Sequence, residues 1–318
     1  MRPARAFAAL PAIKPSKNAP NRFTTAVDQG TTSHCKGKAF SSMSVSALAA
    51  VPKKPPVPTS KIFFILHTCQ NAAFVLVRIH SGYSNAFGGT VAEVALGSVS
   101  LGGETTKIII PVSDLEQVGQ AVGAGGDIFE IRADLAGALT SQLASRLAPF
   151  GPLLLTLRST AEGGACAEGE YAGRVRELLS LQPQAIDVEI ARPEAAVLIE
   201  AAHRAGVVVF GSFHSFSATP PVDQVLARLI RASEAGADVC KIAVMPQHAQ
   251  DVLTLLEALA RARQQIDRPL IGIAMGKLGQ ISRLAGPQFG NCATFATAGP
   301  ASAPGQMDAV LVRKVLGN

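Results

Sequence analysis

The chain has 318 residues, 48% of them hydrophobic and 16% charged, which suits one large aliphatic domain or two ordinary ones. Its net charge of +6 is unevenly placed: residues 1–90 hold eleven Lys or Arg and the single acid Asp28, and the rest holds eighteen against twenty-two Asp or Glu. The basic balance belongs to the first segment and gives no reason to expect nucleic-acid binding by the remainder, while five scattered cysteines without a CxxC or paired-His spacing indicate neither a disulfide framework nor a zinc site and fit a reducing, cytoplasmic setting.

Residues 1–60 are rich in Pro, Ser, Ala and Lys and end in Val51-Pro-Lys-Lys-Pro-Pro-Val-Pro58. Without apolar periodicity they read as disordered. The same basic, nearly acid-free composition also suits a targeting peptide or upstream sequence with no folded role. Residues 61–79 are apolar but broken by His67, Gln70, Asn71 and Arg78. A spanning helix wants about 20 largely uninterrupted apolar residues, so no membrane partner is expected. We place the domain boundary at residue 90, with an extension over 1–90 and a catalytic unit over 91–318.

From about residue 91 short β-branched runs alternate with amphipathic stretches. The runs are 107–112, 127–132, 152–158, 186–190, 207–214, 238–244, 269–275 and 293–297. Each is nearly continuous in its hydrophobicity and is followed by polar residues or Gly, as strands buried on both faces of a parallel sheet are. Helices are predicted between them, including a short one over 114–122 and longer ones over 222–235 and 247–265. In 222–235, Val222, Val225, Leu226, Leu229 and Ile230 recur at helical spacing along one face. Eight strand–helix units in roughly 210 residues match a (β/α)8 TIM barrel. An open doubly wound sheet is the alternative, but no GxGxxG follows any run, and Gly272-Ile-Ala-Met-Gly276-Lys277 is one residue short of a phosphate-binding loop.

In a barrel, ionisable residues at the C-terminal ends of strands point into the active site. Here these are Glu130 and Arg132, Arg158, Glu189, His214, Lys241, and Arg283 shortly after the seventh run. Lys241 is one of only four lysines after residue 90 and lies inside Val-Cys-Lys-Ile-Ala-Val-Met. Desolvation there disfavours the ammonium and favours the free amine that attacks carbonyls, although a lysine paired with a buried carboxylate fits equally. His214 could shuttle protons beside an iminium, or be a structural residue at a strand end. Glu189 could orient that imidazole, or belong to a barrel-lining ion pair. The arginines suggest an anionic substrate, and Glu130 and Arg132, two apart, share one strand face.

Seven motifs in order then resemble type I 3-dehydroquinate dehydratases. They are Glu130-Ile-Arg132-Ala-Asp134; Thr156-Leu-Arg158 with Glu162-Gly-Gly; Asp187-Val-Glu189; Ser212-Phe-His214 leading to Thr219-Pro; Lys241-Ile-Ala-Val-Met-Pro; Ser282-Arg283-Leu; and Ala301-Ser-Ala-Pro-Gly-Gln306. The resemblance covers about residues 92–318 and implies a cofactor-free lyase of the shikimate pathway, usually a homodimer. By resemblance, Lys241 forms the imine with the substrate ketone, His214 moves the protons, and Glu189 holds His214. Glu130, Arg132, Arg158, Arg283, Ser302 and Gln306 bind the substrate's carboxylate and hydroxyls. Two departures stand out. The stretch between the first strand and Glu130 is several residues short, and the family's serine on the first strand has no clear equivalent, with Pro111 aligned and Ser113 two residues on. Residues 1–90 match nothing in the family's barrel, while residues 92–102 could be its small hairpin beneath the barrel. A class I aldolase and a non-catalytic ligand-sensing barrel are the rival readings. His214, the Glu162-Gly-Gly turn and the Ala-Pro-Gly-Gln loop argue against the aldolase, and keeping Lys241, His214 and Glu189 together argues against the sensor.

Overall fold

The computed structural model describes residues 83–84 and 90–317. The extension expected over 1–90, with its apolar stretch 61–79, therefore lies almost wholly outside the described residues. Two short antiparallel pairs come first: β1 (Tyr83–Ser84) with β2 (Thr90–Val91), and the hairpin β3 (Val94–Leu96) with β4 (Val99–Leu101).

Eight parallel strands follow: β5 (Lys107–Val112), β6 (Ile128–Arg132), β7 (Leu153–Thr156), β8 (Ala185–Glu189), β9 (Val208–Ser215), β10 (Val239–Val244), β11 (Leu270–Ala274) and β12 (Ala293–Phe295). They form one sheet in which β12 pairs with β5 and every later strand with its predecessor through β11. Between and after them lie α1 (Gln117–Gly123), α2 (Ala133–Ala136), α3 (Thr140–Leu147), α4 (Tyr171–Leu179), α5 (Ala195–Arg204), α6 (Val222–Glu234), α7 (Ala249–Ala262), α8 (Gln280–Ala285) and α9 (Ala309–Leu316). Each run read as a strand in the sequence overlaps one of these strands, with β8 beginning one residue before its run and β9 ending one residue after, and the architecture is the expected (β/α)8 barrel. The gap between β11 and β12 is bridged by a side chain. Asn291 accepts from the Gly272 N–H at 2.7 Å and donates to the Gly272 carbonyl at 2.9 Å, while Cys292 N–H donates to Leu270 O at 2.9 Å. A buried amide takes the place of missing ladder bonds, because backbone polar groups at such a seam must find partners.

Alternation along each strand sorts its residues into two cores. Ile108, Ile110, Phe129, Ile131, Leu155, Val188, Val209 and Ile242 pack outward against the helices. Ile109, Ile128, Leu154, Ala185, Phe210, Val239, Ile271 and Ala293 fill the interior together with Leu96 and Leu101. The β3–β4 hairpin thus plugs the N-terminal end of the barrel, as expected from residues 92–102. Both leucines are essentially unexposed, so cutting either to Ala should cost about 2–5 kcal/mol. Gly211 on β9 admits the connection from α6 to β10 closely, since a Cβ there would stand 2.6 Å from that of Ala237.

Candidate active site

On β6 to β10 the inward positions turn from apolar to polar toward the C-terminal end. Ile128 gives way to Glu130 and Arg132, Leu154 to Thr156 and then Arg158, Ala185 to Asp187 and Glu189, Phe210 to Ser212 and His214, and Val239 to Lys241. The polar ends surround a cavity of about 630 Å³, mouth included, whose wall contains Glu130, Arg132, Arg158, His214, Lys241, Arg283, Ser302 and Gln306. Ile273, Met275, Phe295 and Phe216 supply its apolar surface.

Lys241 donates to Asp187 Oδ2 at 3.0 Å, stands 4.0 Å from Glu130 Oε1, and lies 4.5 Å over the Phe295 ring. The ion pair with a buried carboxylate and the cavity-lining amine are therefore both present. Thr156 donates to Glu130 Oε1 at 2.7 Å and fixes it. Behind them Arg158, 4% exposed, donates to Asp187 at 2.8 Å, Ser212 Oγ at 3.0 Å, Glu189 at 3.1 Å and Glu162 at 3.4 Å. Burial alone would weaken that guanidinium's hold on its proton, but Asp187, Glu162 and Glu189 outweigh it and strengthen the hold. Burial would likewise raise the Asp187 carboxyl, yet Arg158, Lys241 and the Ser212 hydroxyl hold it below the usual carboxylate range. Buried charges persist only when paired and hydrogen-bonded, and these are.

His214 meets Glu162. The imidazole Nδ1 lies 2.8 Å from Glu162 Oε2, which also accepts from the His214 backbone N–H at 3.0 Å. Burial pushes the Glu162 carboxyl up to about 8, against the pull of Arg158. Burial also holds His214 well below the ordinary imidazole value, with Arg158, Lys241 and Arg132 adding to the effect. Both shifts favour uncharged forms, so the pair is neutral near pH 7. The turn carrying Glu162 depends on its two glycines. Gly163 has φ +80° and lies against the Phe216 ring, and a Cβ on Gly164 would collide with the Arg158 carbonyl oxygen.

Arg132 extends Nε and Nη2 to both oxygens of Asp134, at 3.0 and 2.8 Å. Arg283, 2% exposed, donates only to backbone carbonyls, to Phe295 O at 3.0 Å and Pro304 O at 3.2 Å. No carboxylate among the described residues pairs with it, and burial lowers it to about 10. Ser302 N–H donates to Gln306 Oε1 at 2.9 Å, closing the loop that carries both. Neither Pro111 nor Ser113 lines the cavity.

A sequence model of the family described as Type I 3-dehydroquinase matches residues 108–318. The 3-dehydroquinate dehydratase of Neisseria gonorrhoeae is 37% identical over 235 residues, covering 68% of this chain and 92% of that one. The Lactiplantibacillus plantarum protein of the same name is 39% identical over 234 residues, covering 67% and 92%. The chain belongs to the type I 3-dehydroquinase family. Among solved structures, the 3-dehydroquinate dehydratase of Geobacillus kaustophilus superimposes with a TM-score of 0.67 at 33% identity, over 71% of this chain and 95% of that one. A type I enzyme from Clostridium difficile, solved with covalently modified comenic acid, gives 0.66 at 33% identity, over 71% and 97%.

Within this family framework, the described site departs from the sequence reading at one carboxylate. Glu189 was expected to orient His214, but it is 1% exposed, lies outside the cavity wall, and accepts instead from Ser159 N–H at 2.8 Å and from Arg158. Strand register explains this: Glu189 lies opposite Ser212, two residues short of His214. Glu162 occupies the position beside the imidazole. It sits on a 3-10 turn (Thr160–Glu162), where strand periodicity gives no signal, and the available clues were its spacing of four from Arg158 and its place in the Glu162-Gly-Gly motif. Asp187 was also passed over, although it shares the inward face with Glu189 two residues later.

Proposed function

We propose that this chain is a hydro-lyase that converts 3-dehydroquinate into 3-dehydroshikimate and water through an imine on Lys241. The observation that carries the reading is the convergence of a strand lysine, a neutral histidine pair and an arginine without a carboxylate partner on one cavity. The Lys241 amine adds to the ketone carbon, and loss of the carbonyl oxygen as water leaves an iminium. That cation is an electron sink. With Nδ1 donating to Glu162, His214 keeps the Nε2 lone pair for the proton on the adjacent carbon, and the C–H electrons move into an enamine. The protonated imidazole then returns its proton to the departing hydroxyl as the enamine expels it, and water releases the product and restores the amine. Both proton steps cycle through one residue, so no net proton accumulates.

Arg283 receives the substrate's carboxylate, because a buried guanidinium held only by carbonyls gains most from an anion. Arg132, Arg158, Glu130, Ser302 and Gln306 hold the hydroxyls and the rest of that anion from the remaining wall. Glu162 positions His214, and Glu189 acts behind Arg158, away from the imidazole. Borohydride reduction in the presence of 3-dehydroquinate should add the ligand's mass to the peptide containing Lys241. Labelling at Lys277 or Lys107 instead would sink the assignment.

Among the described residues no helix is long and apolar enough to cross a membrane. We place the enzyme in the cytoplasm as a homodimer, and one feature supports the dimer. The neighbouring helices α8 and α9 leave Ile281 52%, Val310 60%, Leu311 48% and Val315 54% exposed, and exposed apolar surface of that kind marks association sites. Light scattering should return twice the mass of the chain, and a monomer at micromolar concentration would refute it.

A further inference from the structure

Asp134 touches two parts of the site at once. Its side chain is 0% exposed, yet it lies outside the wall of the substrate cavity. One face takes the Arg132 fork at 3.0 and 2.8 Å. Oδ2 also accepts from the backbone N–H of Ala165 at 3.2 Å, thirty-one residues away. Ala165 is the last residue but one of the segment 159–166, which opens at Ser159 and carries Glu162 in its middle. Burial would raise the Asp134 carboxyl, but the hydrogen bond and charge of Arg132, with the backbone N–H groups of Arg158 and Ala165, hold it below the usual range.

The segment is short and tightly folded. Gly164 N–H donates to Ser159 O at 2.7 Å, and Cys166 N–H to Arg158 O at 3.0 Å. Its opening is fixed by Glu189, which accepts from Ser159 N–H, and its middle by Glu168, which accepts from Ala161 N–H at 2.8 Å. Glu189 reaches Arg158, and Glu168 reaches Arg192 at 2.6 Å. Asp134 is the carboxylate that ties the segment's far end to Arg132, a cavity-lining side chain.

We propose that Asp134 is a positioning residue that couples the grip of Arg132 on the substrate to the placement of Glu162, and through Glu162 to the aim of His214. The inference rests on the roles given above to Arg132 and to the Glu162–His214 pair. A carboxylate that satisfies a fork and an amide together fixes both more narrowly than two separate acceptors, because each bond limits where the other can go. Substrate that engages the outer side of the Arg132 guanidinium pulls on a fork whose other end is the segment bearing the histidine's partner. A displacement of about 1 Å in such a support costs on the order of 10²-fold in rate.

The test is kinetic. Asp134→Asn keeps the shape and removes the charge. KM should rise about ten-fold and kcat should fall several-fold, while borohydride at saturating substrate still traps the adduct on Lys241. An Asn variant that melts lower but keeps KM and kcat within two-fold would overturn the proposal and leave Asp134 a structural residue. A second measurement leaves Asp134 untouched. The cycle of Arg132→Ala and Glu162→Gln on kcat/KM should be non-additive by about three-fold or more, and additive effects would overturn the coupling. If Arg132→Ala itself leaves KM unchanged, the role of Arg132 fails and the tether with it. If it raises KM and Asp134→Asn does not, only the tether fails.

Discussion

The barrel's two walls treat charge differently. Along β6 to β10, Glu130, Asp187, Glu189 and Glu162 are interlaced with Arg158 and Lys241, and every one of these groups makes a hydrogen bond inside the protein. Across the cavity, β11 and β12 present Ile273, Met275 and Phe295, and the cation beside them, Arg283, rests on two carbonyls. The first wall has spent its charge on fixing its own geometry. The second has left a guanidinium whose burial is uncompensated, a cost the protein bears until an anion arrives. Internally paired charge therefore marks the machinery, and unpaired buried charge marks the receptor.

Two substitutions of the same kind should break the walls in opposite ways. Arg158→Met strands Asp187 and Glu189 without their shared cation, and removing one partner of a buried ion pair costs about 3–5 kcal/mol. In a barrel of this size that lowers Tm by roughly 10 °C, and activity falls with it because the positions of Asp187 and Glu162 depend on Arg158. Arg283→Met leaves only two carbonyl oxygens without a donor, so its melting should change far less. Its KM should rise by about 10- to 100-fold, the worth of a lost charge-assisted hydrogen bond, with a smaller effect on kcat. Thermal melts with steady-state kinetics on both variants check the contrast. An Arg158→Met protein that melts like the parent, or an Arg283→Met protein with unchanged KM, would erase the distinction between the walls.

That distinction was only half legible in the sequence. The fold was readable because strands buried on both faces announce themselves as continuous apolar runs, and the inward ionisable residues stand out at their ends. The polar residues that could be named from the strand pattern were Lys241, His214, Glu130, Arg132, Arg158, Glu189 and, just past a strand, Arg283, while Ser302 and Gln306 came only from the family resemblance. Which carboxylate pairs with which cation was not readable, because it depends on register between strands and on turns. Glu189 is adjacent in sequence pattern to the histidine's strand but faces Ser212. Glu162 lies on a 3-10 turn that two glycines fold back under Arg158. The Asn291 bridge at the seam was equally hidden, since a lone asparagine before a strand has many ordinary uses.

The smallest effect expected sharpens the comparison at the histidine pair, where burial and not a neighbouring cation sets the protonation state. The Glu162 carboxyl is raised by burial from an ordinary 4.5 to about 8. A carboxyl so raised binds an extra proton in the folded state between those values, so its contribution to stability is complete below about pH 4.5 and is lost as pH rises through 8. His214 runs the other way: its depressed value makes its contribution complete above the ordinary 6.5 and lost as pH falls below that. Between pH 6.5 and 8 the slope therefore belongs mainly to Glu162, and the histidine's share cancels against a variant that keeps it. Over that window the parent should lose on the order of 1 kcal/mol relative to Glu162→Gln, a few degrees in Tm. Melts of the two proteins at half-unit steps would show the parent's Tm falling relative to the variant's as pH rises. Parallel curves would mean that Glu162 is already ionised at pH 6.5. The proton beside His214 would then be shared with a charged partner, and the uncharged pair would have to be given up.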